Sequence, residues 1–271
     1  MSKNKPIGVF DSGVGGLTVL KALVDQLKLQ TFIYVGDNLN CPYGQKSPEQ
    51  LYEYSSRILR FLQKQGVEVV VLACNTTSSV VLNRLESEFK DLKIIGVIDS
   101  TVKQYQSLNI TKPLILATNA TINNGAYQHK IPGAKACSCP QWVPLIESGQ
   151  YLLGMEHEIR EVIDKYENQI DSVILGCTHY PIIQNEIQKL YPKLKLVSSS
   201  VGVVNDLRAY LQQTSGLATK KTGSSRIYTT GDLESFIQSS TSFFNYQGYD
   251  VEHIDIDAEG NGYEKSCGNV G

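Results

Sequence analysis

The chain has 271 residues, 41% apolar and 19% charged, with a formal charge of −2. That composition is expected of a soluble globular protein able to bury a substantial core, in one large domain or two ordinary ones. The charge offers no electrostatic footing on nucleic acid or a membrane surface, and no apolar run approaches the roughly 20 residues that span a bilayer.

In chain order, PIGVF (6–10) predicts a first strand, reached from MSKN without the apolar h-region of a secretory signal, so the cytoplasm is the expected compartment. A glycine-rich turn follows, then Leu17, Leu20, Val24 and Leu27 at helical spacing. TFIYVG (31–36) predicts a second strand, and Leu51, Tyr54, Ile58, Phe61 and Leu62 a second helix. Further strands are expected at VEVVVLAC (67–74), KIIGVI (93–98), PLILAT (113–118), DSVILGC (171–177), KLVSS (195–199) and RIYTTG (226–231). Apolar runs this continuous, alternating with amphipathic segments, predict an α/β protein with mainly parallel sheets flanked by helices. The tail from about Asp257 is glycine-rich and polar and is expected to be poorly ordered.

A weak internal repeat divides the chain. A strand ending in Cys74 and followed by Asn75 and Thr76 is matched by one ending in Cys177 and followed by Thr178 and His179. This predicts two similar α/β domains, each presenting a thiol at the carboxyl end of a strand, where open sheets bind ligands. Facing each other, the two ends make an interdomain cleft with one thiol on each wall. A helix start at each thiol is expected to lower its pKa and make it a usable base. Cys41, Cys137, Cys139 and Cys267 have no such context and read as ordinary small apolar residues. Cys137 and Cys139 lack a second ligand pair, so no metal site is expected, and a reducing compartment argues against disulfides.

Other chemistry-bearing residues also stand at strand ends. Asp11 and Ser12 open the turn containing Gly13, Gly15 and Gly16, which suits an anion held by backbone amides, although an Asp there also serves as a cap. GxGxxG fails at Thr18 and no GK[ST] follows, which weakens any nucleotide reading. Asp37 precedes a turn with Pro42, Tyr43 and Gly44; Thr118 and Thr121 offer hydroxyls that suit a carboxylate or a cap equally. His179 is a proton partner for the nearby Cys177, and Glu147 is a candidate to orient it.

The segments IGVFDSGVGGLTVL, GDNLNCPYG, LACNTT, WVPLIESG, LGCTHYP and YTTGD, spread over about residues 6 to 236, together resemble bacterial glutamate racemase. The resemblance implies a cofactor-independent enzyme interconverting L- and D-glutamate, the D form feeding peptidoglycan synthesis. It implies a homodimer of two-domain subunits, with the active site between the domains. Cys74 is then the base for D-glutamate and Cys177 for L-glutamate. Asp11 accompanies the first thiol, and His179 and Glu147 the second; Asp37 stands among the catalytic candidates. Ser12, Pro42, Tyr43, Gly44, Asn75, Thr76, Thr118, Thr121 and Thr178 line the substrate, together with Asp11 and His179. By the same resemblance the first domain is 1–97 plus 208–271, and the second is 98–207.

The sequence departs from the family pattern at Asn38, Leu39 and Asn40, where a basic residue is usual, and at Ala120, where glycine is common. LVSSS (196–200) also lacks the acidic residue often found after that strand. These changes bear on affinity, assembly and regulation. The alternatives are a racemase of another acidic amino acid, such as aspartate, and a paralogue that binds an acidic amino acid without catalysis.

Overall fold

The computed structural model describes residues 5–214, 216–221 and 223–256; the expected disordered tail and Cys267 lie outside them. The first half runs β1 (Ile7–Asp11), α1 (Leu17–Gln26), β2 (Phe32–Gly36), α2 (Pro48–Lys64), β3 (Val69–Leu72), α3 (Asn75–Val80), α4 (Leu82–Glu88) and β4 (Lys93–Gly96). α5 (Val97–Gln106) leads to β5 (Pro113–Ala117), α6 (Asn119–Asn124), β6 (Lys135–Ser138), α7 (Trp142–Glu147) and α8 (Glu156–Ile163). β7 (Ser172–Gly176), α9 (Gln184–Leu190) and β8 (Lys195–Ser198) follow. α10 (Ser199–Thr214), β9 (Ser225–Thr229), α11 (Leu233–Ser240) and β10 (Tyr249–His253) complete the chain.

The strands form two sheets, one in the order β10-β9-β2-β1-β3-β4 and the other β6-β5-β7-β8. Every pairing is parallel. β1, β2, β3, β5 and β7 are buried at every position, the consequence of helices covering both faces. Alternate residues therefore enter different cores. Val9, Tyr34 and Val71 pack with α1, while Phe10, Val35 and Leu72 pack with α2. The second sheet repeats this, with Leu114 and Leu175 on one face and Ile115 and Ile174 on the other.

All eight expected strands are present, β1 and β9 shifted and the rest trimmed, and α1 and α2 occupy the expected helical segments. Two strands, β6 and β10, carry no sequence signal. Both are edge strands, and neither is apolar throughout: β6 is half-buried along its length and β10 has a single buried residue. Neither packs enough surface to impose a continuous apolar run, unlike the edge strand β4, whose Ile94 and Ile95 are buried.

The topology places the chemistry. In the first sheet β1 lies between β2 and β3, so the connections leave it in opposite directions; in the second, β5 lies between β6 and β7. A ligand crevice forms at such switch points, outside the carboxyl ends. Asp11 ends β1 and Cys74 follows β3; Thr118 follows β5 and Cys177 follows β7. Between the sheets the chain crosses through α5 and returns through α10. There Ser100 Oγ donates to Asp206 at 2.8 Å, Lys103 Nζ pairs with the same carboxylate at 3.0 Å, and Gly202 lies against the Ser100 carbonyl. Among the described residues no helix is long and apolar enough to cross a membrane.

Candidate active site

Cys74 is the N-cap of α3, its sulfur accepting from the Thr77 amide at 3.5 Å and lying 3.6 Å from Ser12 Oγ. The helix start was expected to make this thiol more acidic. The structure reverses the sign: burial, followed by the neighbouring Asp11 carboxylate, pushes the thiol up to about 11 against the pull of the Thr77 and Ser12 hydrogen bonds. A short capped turn cannot offset complete desolvation. In the free chain Cys74 is therefore a protonated thiol.

The glycine-rich turn also differs from expectation. Asp11 and Ser12 are buried, Asp11 fully, and the Asp11 Oδ2 accepts from the amides of Gly13 at 3.1 Å and Gly16 at 3.0 Å. The amides expected to hold an external anion hold Asp11. Burial raises its carboxyl pKa from the ordinary value, against the charge of His179 and these hydrogen bonds. The glycines serve close approach, since none of Gly13, Gly15 and Gly16 has positive φ. A Cβ on Gly15 would stand 2.5 Å from His179 Nδ1, and one on Gly16 would stand 2.3 Å from Asp11 Cβ.

On the other wall Cys177 Sγ lies 3.7 Å from His179 Nδ1, and His179 Nε2 lies 2.8 Å from Glu147 Oε1. The order is thiol, imidazole, carboxylate, assembled from the end of β7 and the end of α7. Burial works to lower the His179 pKa, yet the hydrogen bonds and charges of Cys177 and Glu147 raise it well above its ordinary value. As an imidazolium it donates from both ring nitrogens. Glu147 is held below its usual range because His179 outweighs the burial that opposes ionisation. Thr178, expected at a helix start, instead lies between β7 and a short 3₁₀ turn, Tyr180–Ile183.

Polar contacts join the walls. Thr178 Oγ1 donates to Asp11 Oδ1 at 3.2 Å, and Thr18 Oγ1 donates to the Thr178 carbonyl at 3.0 Å. Thr76 and Thr118 share a hydrogen bond at 3.0 Å, and Thr118 reaches Thr121 at 3.1 Å while capping α6. The Thr residues thus serve as cap and cleft lining together. Tyr43 and Gly44 follow a cis Cys41–Pro42 peptide, and Gly44 approaches the Thr118 side chain closely. Asp37, expected among the catalytic groups, accepts from Tyr43 Oη, Thr230 Oγ1 and Asn40 Nδ2, and so fixes the Pro42 turn.

Two side chains at the site had no sequence signal. Cys41 Sγ lies 3.9 Å from Glu147 Oε1, and burial, followed by the Glu147 charge, keeps it a thiol. Tyr127 donates to Asn75 Oδ1 at 2.7 Å. Each reaches the site across the cleft, at a sequence separation that no local pattern reveals. Cys139 is buried beneath Tyr180 in the second core, as expected of a small apolar residue, and no metal-binding cluster occurs among the described residues.

The profile of the Asp/Glu/Hydantoin racemase family matches residues 7–207. The glutamate racemase of Carboxydothermus hydrogenoformans is 36% identical over 262 residues, covering 93% of this chain and 96% of that protein. The crystal structure of glutamate racemase from Thermus thermophilus, in complex with beta-chloro-D-alanine, superposes with a TM-score of 0.87 at 31% identity, over 95% of this chain and 99% of the other. That of Francisella tularensis, in complex with D-glutamate, gives a TM-score of 0.84 at 32% identity, over 94% and 99%. With relatives matched along almost their whole length and a thiol at each switch point, the chain belongs to the Asp/Glu/Hydantoin racemase family, among its glutamate racemases.

Proposed function

We propose that the protein interconverts L- and D-glutamate by proton transfer at Cα between two thiols, without a cofactor, in the cytoplasm, and supplies D-glutamate for peptidoglycan synthesis. One thiol at the switch point of each sheet carries this reading, because inversion needs a proton acceptor on one face of the stereocentre and a donor on the other. A single base tends to return its proton to the face it came from. Cys74 as thiolate removes the proton of D-glutamate while the Cys177 thiol delivers one to the opposite face; L-glutamate reverses the roles. Each turnover leaves the two sulfurs with exchanged proton states. The high pKa of Cys74 makes it the donor in the free chain, the state that serves the L-to-D direction.

The Cα–H of an amino acid is a very weak acid, so the charge developing on its carboxylate needs preorganised donors. Asn75, Thr76, Thr118, Thr121 and Thr178 supply them in our assignment. Ser12, Pro42, Tyr43 and Gly44 complete the lining, and Asp37 holds that turn in place. Asp11 is placed to receive the substrate ammonium beside Cys74, and His179, steadied by Glu147, serves Cys177. We assign the domains as 1–97 plus 208–271 and 98–207, following the change of sheet, and the assembly as a homodimer.

The test is Cα hydrogen exchange in D2O by purified protein without added cofactor. Both enantiomers of glutamate are expected to exchange, and Cys74→Ala and Cys177→Ala are each expected to abolish racemisation. Parental-rate racemisation by either variant overturns the two-thiol mechanism. Turnover of aspartate with none of glutamate overturns the substrate assignment while leaving the chemistry standing.

A further inference from the structure

Asn75 is 2% exposed and is the first residue of α3, immediately after Cys74. One end of its amide is occupied: Oδ1 accepts the Tyr127 hydroxyl at 2.7 Å. The other end, Nδ2, is buried without a hydrogen-bond partner. A buried N–H left unpaired costs stability, and proteins keep few of them. At the mouth of a helix that carries a catalytic thiol, an unused donor is a group held ready for an acceptor.

Tyr127 itself comes from the other side of the cleft. It is fully buried in the core beneath the second sheet, with Ile115, Ala117 and Ile174. Its ring lies over Gly176, where a Cβ would stand 3.2 Å from Tyr127 Cε2. One side chain thus spans from the residue before Cys177 to the residue after Cys74. Burial raises the phenol pKa, so the hydroxyl remains a donor at all working pH values. A hydroxyl that donates to Oδ1 leaves Nδ2 as the free end of the amide. The opposite rotamer would turn a carbonyl oxygen toward any bound carboxylate.

We propose that Tyr127 is a positioning residue, whose hydroxyl orients the Asn75 amide so that Nδ2 is offered to a carboxylate of the substrate. This rests on the racemase assignment of the cleft. It goes beyond that assignment in giving the Asn75 contact a cause on the opposite wall.

The experiment is steady-state kinetics in both directions for Tyr127→Phe, Asn75→Ala, the double variant and Asn75→Asp, with a melting curve for each. Losing a hydrogen bond to a charged group raises KM about tenfold or more, so Tyr127→Phe is expected to raise KM for both enantiomers by that factor, with a smaller change in kcat. In the Asn75→Ala background the same change is expected to add nothing, because its effect passes through Asn75. Asn75→Asp keeps an acceptor for Tyr127 but replaces the N–H donor by a buried carboxyl oxygen; it is expected to melt below the parent and to raise KM at least tenfold. Parental KM in Tyr127→Phe overturns the proposal, as do effects that multiply in the double variant. Parental KM in Asn75→Asp does the same, and that variant reports even where the Phe variant does not fold. A parental enzyme that fails to exchange the Cα hydrogen overturns the racemase assignment instead, whereas racemisation indifferent to Tyr127→Phe overturns only the positioning role.

Discussion

Cys74 sits between Ser12 and the Thr77 amide with Asp11 close by, while Cys177 faces an imidazole whose far nitrogen is held by Glu147. Two thiols with matching local sequence therefore have opposite partners, a carboxylate for one and a cationic ring for the other. Glu147→Gln tests the second arrangement. Without the carboxylate, the His179 pKa falls toward its ordinary value and the imidazolium is lost at lower pH. The expected result is a fall of about 10²-fold in kcat, little change in KM, and a pH–rate limb displaced toward acid. Measuring kcat and KM for both enantiomers across pH checks it; an unmoved limb counts against the relay. Glu147 and His179 were legible as a pair of candidates, but their contact was not, because residues 32 positions apart are joined by the fold of α7 against the end of β7. Cys41 was not legible as a site residue at all, since its neighbours are Glu147 and Gly13 rather than anything in its own segment.

The elements that position these groups are packed backbone to backbone at a few points. The Gly202 Cα faces the Ser100 carbonyl, and a Cβ there would stand 2.2 Å from that oxygen. α5 and α10 are the two connections between the sheets, so a methyl group at 202 must displace one helix from the other. Gly202→Ala is expected to cost about 1–3 kcal/mol, the range for overpacking a close-packed contact, and to lower activity through a shifted cleft. Chemical denaturation and kcat/KM measured together check it, and an unchanged midpoint would show that the helices give way freely. Element type was largely written in local pattern: α2 carries a Ser47–Gln50 capping box with Pro48 at its start, and its apolar residues recur along one face. The glycine-rich turn shows where local pattern stops. Its spacing announced amides for an anion, yet the anion is Asp11, a residue of the same turn, and only the folded geometry reveals that occupancy.

At the scale of the molecule, the burial that closes the cleft makes stability depend on pH. His179 and Cys74 both hold their protons more tightly when folded. The contribution of His179 is complete below its ordinary pKa of 6.5 and is lost as pH rises through the raised value. That of Cys74 is lost between its ordinary 9.0 and about 11. Glu147 works in the other sense: its contribution is present above 4.5 and lost as pH falls through the lowered value. Stability is thus expected to be greatest between the ordinary Glu value of 4.5 and the ordinary His value of 6.5. The urea midpoint is expected to fall steadily from pH 7 to 11, with Cys74→Ser flattening the segment above pH 9. A midpoint constant over that range contradicts the assigned burial.

What the sequence by itself determined is the class of fold, the central strands, the two thiols and the family. These are written in contiguous signals: apolar runs that two-sided burial requires, and short motifs that keep their order along the chain. Only the tertiary structure decided which groups meet. It set Asp11 on its own turn, Asp37 on the Pro42 turn, Cys41 against Glu147 and Tyr127 against Asn75, and it raised Cys74 rather than lowering it. The reason is that contact across a cleft and desolvation within it are properties of distance in space, which a linear order of residues does not encode.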